Sequence, residues 1–126
     1  MEQMNLMAAW IGIQLGIISG IVMSLMFHRE AWLGGYSIWA RRLVRLAHVS
    51  YFGIAFINMS YALTVQQFHL GEHGPWPGLL LIIGAITMPV ACYLAAWRKS
   101  LRHLFGLPVF SLLSGMLAFA LEVVMP

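Results

Sequence analysis

The chain has 126 residues, 61% of them hydrophobic and only 9% charged. A soluble domain carries about 25% charged residues, and one this short cannot bury so large an apolar surface. The net charge of +3 gathers at the ends of apolar runs, which argues against nucleic acid, and the single cysteine, Cys92, excludes an intrachain disulfide framework.

The first segment, MEQMNLM, carries Glu2 and no Lys or Arg, so it lacks the basic start of a signal peptide. The apolar run 6–27 meets the ~20 residues that a spanning helix needs. It exceeds the ~7–15 of a signal-peptide core. Gly12, Gly16, Gly20 and Ser24 recur every four residues. That spacing predicts a close helix contact, with either another helix of this chain or a partner protein. Gln14, in the same run, calls for an interhelical partner.

Gly34-Gly35 breaks the helix, and Ser37 stands where a side chain would cap the next one. Trp39, Arg41 and Arg42 are expected at a membrane interface, the arginines reaching out to phosphates. The second run, 44–68, carries His48, Tyr51, Ala55, Asn58, Ala62 and Gln66 in one sector about 80° wide. Small and polar residues on one stripe are expected to face protein. The loop HLGEHGPWPG holds His69, Glu72 and His73 in an HxxEH pattern. A metalloprotease would need a helix there and a sizeable fold for the third ligand. Gly71 and Gly74-Pro75 interrupt the segment, so His69 and His73 are left as candidates for adventitious metal only. The third run, 78–97, carries Pro89, which predicts a kink that Thr87 is placed to relieve. The fourth, 104–124, has Pro108 in its first turn and a stripe of Ser111, Gly115, Ala118 and Glu122. Glu122 is expected to meet water.

The seven basic residues are Arg29, Arg41, Arg42, Arg45, Arg98, Lys99 and Arg102. All fall in two short stretches, 28–45 and 98–103, which the positive-inside rule assigns to the cytoplasm. Both termini and the loop 69–76 are then outside. Trp10 and Trp76 fall at one interface, and Trp32, Trp39 and Trp97 at the other. The expectation is an all-α polytopic integral membrane protein. It has one domain over 1–126, with four antiparallel transmembrane helices in a bacterial cytoplasmic membrane.

Chemistry is sparse. There is no GxGxxG, P-loop, CxxC or GxSxG pattern, and no paired carboxylate within a run. Three histidines, His28, His48 and His103, fall at similar depth on the basic side. Haem b held between helices needs two facing histidines, and arginines at the rim suit its propionates. A quinone asks for a histidine and an apolar approach. The leading expectation is a non-catalytic structural or assembly subunit, bound to other membrane subunits or to itself. The alternative is an electron-transfer subunit that holds haem b or quinone through His48 with His28 or His103.

Overall fold

The computed structural model describes residues 1–70 and 74–125. Among them the chain is all-helical, with α1 (Glu2–Met26), α2 (Trp39–Phe68), α3 (Trp76–Trp97) and α4 (Gly106–Val124), and no strand. All four are long and apolar enough to cross a membrane, the last together with the 3-10 segment Lys99–Phe105 that leads into it. Two helices begin well before their apolar runs: α1 at Glu2 and α2 at Trp39. An apolar run stops at the first charge. A helix does not, and arginine is a good helix former.

The break at Gly34-Gly35 is real, with φ of 93° and 121° there. Leu33 before them is also left-handed, at φ 55°. Ser37 does not cap α2. The N-cap is Ile38, in extended conformation and without a side-chain cap.

The helices lie in chain order. α1 packs on α2, α2 on α3 and α3 on α4, while α1 touches α3 lightly. α1 and α4 therefore have one main neighbour each. The glycine row of α1 is the seam with α2 of the same chain. A Cβ on Gly12 would lie 3.0 Å from the Ala55 Cβ, and one on Gly16 would lie 2.7 Å from the Phe52 ring. One on Gly20 would lie 2.8 Å from the His48 ring. Each glycine lets the α2 side chain or backbone sit against the α1 backbone. Ser24, the last of the row, is exposed and bonds only its own helix, at Ile21 O. Gln14 is exposed rather than partnered, since two residues from Gly12 is about 200° around the helix.

The stripe of α2 faces protein as far as Ala62, with Ala55, Asn58 and Ala62 buried, and Gln66 exposed beyond it. Tyr61, Val65 and Leu81 form a buried cluster at that end, flanked by Leu112 and Phe119 of α4. The Tyr61 and Phe119 rings meet edge to face at 4.9 Å. α4 is held to α3 by its small residues. Ser111 Oγ donates to Leu80 O at 2.5 Å, and a Cβ on Gly115 would lie 3.2 Å from Pro77 O. Leu112 fills the place a Gly84 side chain would take. α3 runs unbroken through Pro89. Thr87 Oγ1 donates to Ile83 O at 2.7 Å, so it does not serve Ala85 O, the carbonyl that Pro89 leaves without its helical donor.

Candidate functional site

His48 is half-buried on the α2 face that meets the α1 glycines. Its Nδ1 is 2.8 Å from Ser19 Oγ, its Cε1 edge rests on Gly20, and its ring is edge-on to Phe52 at 5.4 Å. The imidazole thus meets a side chain of the next helix directly. His28, just past the end of α1, and His103, in the 3-10 segment before α4, are both exposed. Of the three histidines, only His48 enters a helix contact. His69 is exposed and closes α2 in a left-handed conformation, φ 52°. Glu72 and His73 lie outside the described residues, among which no group of three or more His, Cys, Asp or Glu could hold a metal ion.

Arg41 departs most from the sequence expectation. It does not reach out to phosphates, being 2% exposed. Its guanidinium lies 4.5 Å from the Phe27 ring centre, 5.5 Å from Tyr36 and 5.7 Å from Trp32. Nη2 donates to Phe27 O at 3.0 Å and Nη1 to Glu30 O at 3.2 Å. The cation is therefore held by ring faces and carbonyl dipoles, with no carboxylate in the set. These carbonyls belong to the end of α1 and the turn after it, where helical partners run out. Arg41 thus ties the 28–38 connection to the start of α2. Nearby, Arg45 stacks on Tyr36 at 4.2 Å. Trp39 Nε1 donates to Ala95 O at 2.8 Å, with Lys99 Nζ 5.2 Å from its ring.

No protein-family model, curated protein or solved structure matches the chain.

A second polar group sits at the opposite end of the helices. Asn5 and Asn58 are both fully buried. Asn5 Nδ2 donates to Asn58 Oδ1 at 2.8 Å and to Gly78 O at 2.9 Å. Asn58 Nδ2 donates to Ile54 O at 3.0 Å and to Leu81 O at 3.3 Å. The pair joins α1, α2 and α3 in one network. Gly78 is required there, since a Cβ would lie 2.6 Å from Asn5 Oδ1 and 2.8 Å from the Tyr61 ring. Glu122 is buried rather than in water, at 8% exposure, and its Oε2 has no hydrogen-bond partner. It lies on the same stripe as Ser111 and Gly115, which turns it inward.

Two cavities open between α1, α2 and α3. The larger, about 510 Å³, is walled by apolar residues such as Met7, Ile11, Ile54, Ala85 and Pro89. The smaller, about 400 Å³, runs from Leu15 and Tyr51, which it shares with the larger, to Trp32, Val44 and Tyr93. The serine hydroxyls on their walls are engaged by the chain itself. Ser50 Oγ donates to Ala47 O at 2.7 Å, and Ser19 Oγ contacts Gly16 O at 2.9 Å and His48 Nδ1 at 2.8 Å.

Proposed function

We propose that this chain is a non-catalytic subunit or assembly protein of a membrane complex, inserted as four antiparallel transmembrane helices. The observation that carries the reading is how its buried polar side chains are used. Asn5, Asn58 and Ser111 bond backbone or one another across helices, Ser50 bonds its own helix at Ala47 O, and none of these bonds gathers donors around a cavity. Such interhelical bonds hold helices together in lipid. The glycine seam and the Asn pair support the antiparallel order, since partners of α1 descend α2 from Asn58 to His48 as α1 advances from Asn5 to Gly20. The seven bases support a cytoplasmic position for the 28–45 and 98–103 connections, and hence outward termini, in a bacterial cytoplasmic membrane. The outer flanks of α1 and α4 are apolar and free of this chain's other helices, with Ile18 and Phe110 56% and 73% exposed. They are the surfaces through which it meets lipid, other subunits or a second copy.

The electron-transfer alternative has less behind it. The His48 ring rests edge-on to Phe52 and against the α1 backbone at Gly20, and His28 and His103 are exposed and lie outside the four long helices. Extraction from the native membrane in mild detergent tests the main reading. The chain is expected in a particle of fixed composition, as stoichiometric subunits or a defined self-assembly. Recovery as a lone monomer would overturn the subunit reading, and a Soret band would put the haem alternative in its place.

A further inference from the structure

We propose that the smaller of the two cavities seats an acyl chain of an anionic phospholipid, whose phosphate rests on the basic end of the helices. The inference rests on the reading that the chain spans a bilayer. Its first support is shape. The cavity is open along the lipid-facing side of α1, α2 and α3, and its walls are almost wholly apolar, with Ile18, Val22, Met23 and Val44 among them. From Val44 at its mouth to Ala55, in the wall of the larger cavity, α2 rises about 16 Å, close to half of the ~30 Å hydrocarbon core. Leu15 and Tyr51 line both cavities, and a chain entering at Val44 would pass between them on its way to the bilayer midplane.

The second support is charge. The mouth lies at Trp32, Leu33 and Tyr93, at the end of the molecule where all seven bases are found. Seven bases there face a single acid, Glu30. Arg41 is held by rings and carbonyls, and Arg45 stacks on Tyr36. Arg29 and Arg98 are exposed. Arg29 sits beside the mouth, its carbonyl accepting from the Trp32 amide at 3.0 Å, and Arg98, the extended residue that caps α3, lies at the same end of the helices with its guanidinium 5.6 Å from the Trp97 ring centre. A phosphate at the mouth completes this arrangement, since basic residues at the cytoplasmic surface attract anionic headgroups. A zwitterionic lipid would fill the same cavity without using the charge.

Native mass spectrometry of the full chain, delipidated and then titrated with phosphatidylglycerol or phosphatidylcholine of identical acyl chains, tests the proposal. One phosphatidylglycerol is expected to be retained at activation energies that strip phosphatidylcholine. Replacing Arg29→Gln with Arg98→Gln should cut phosphatidylglycerol affinity about fivefold per charge and leave phosphatidylcholine unchanged. Leu15→Trp, at a 42% exposed position, should block the passage and reduce retention of both lipids. Leu113→Trp, on the exposed flank of α4, should alter neither. Equal retention of the two lipids would overturn the proposal, as would a Leu15→Trp variant of native helix content that still keeps the lipid. A dimer that Leu15→Trp dissolves would overturn it too, and would assign the cavity to a second copy.

Discussion

The Asn5–Asn58 pair makes a measurable claim about what holds α1, α2 and α3 together. Asn58→Ala removes two bonds to other helices, from Asn5 and to Leu81 O, and one within α2, to Ile54 O. Side-chain hydrogen bonds between helices in membranes average about 0.6 kcal/mol and reach about 1.7. The variant should therefore lose about 1–3 kcal/mol of unfolding free energy. Asn5→Ala removes the same shared bond and the one to Gly78 O, and should cost a similar amount. Because one bond is common to both, the double variant should be less destabilised than the sum by about 0.6–1.7 kcal/mol. Reversible unfolding in mixed micelles, titrated with a denaturing detergent, measures all four corners of the cycle. Trp39→Phe removes a bond at the far end, to Ala95 O, and serves as the control. It should add to Asn5→Ala within about 0.5 kcal/mol. If the two asparagines were additive to the same margin, the bond between them would contribute nothing, and the network argument would fail.

Gly12→Ala should destabilise, because its Cβ would stand 3.0 Å from the Ala55 Cβ and 3.2 Å from Tyr51 O. Gly53→Ala has nothing within 4 Å and should stabilise by up to about 1 kcal/mol through helix propensity, both read from the same unfolding titration. Arg41→Lys keeps the charge but loses the planar fork that serves Phe27 O and Glu30 O. It should cost about 1–3 kcal/mol and speed proteolytic cutting between residues 28 and 38; unchanged cutting would show that Arg41 does not hold that connection. A reporter active only in the cytoplasm, fused to the C-terminus, should be silent, and strong activity would reverse the proposed orientation.

The helices were legible because their signals are local. Twenty apolar residues, a Gly-Gly break and a four-residue glycine repeat can all be counted along the chain. The partner of that repeat could not be counted. Only the fold shows that Gly12, Gly16 and Gly20 meet Ala55, Phe52 and His48. Arg41 departs from its sequence expectation for a physical reason. Arginines at a helix end ordinarily extend to water or phosphate, and three aromatic residues spread over 27–36 form a cage only once Leu33, Gly34 and Gly35 take positive φ. A run of Phe, Trp and Tyr just ahead of an arginine was the available hint. Asn5 precedes the apolar run, which starts at residue 6, and so gives no periodic signal. Its pairing with Asn58 depends on α1 and α2 lying side by side in one register, which single-helix periodicity does not encode. Its place near the outer surface suggests water for Glu122, whereas its own stripe, with Ser111 and Gly115, points inward.

Because α2, α3 and α4 each pack on the helix synthesised just before them, the molecule is suited to assembly during translation. A newly made helix finds its chief partner already there, and little of the fold waits for distant segments. Asn5 is the exception. Its bond to Asn58 forms once α2 arrives, but its bond to Gly78 O requires α3. Until then one of its two amide protons has no partner in the chain. The first turn of α1 is thus made before its partners and completed only with α3, and a ribosome-stalled chain ending before residue 76 should expose it to labelling that the finished protein resists.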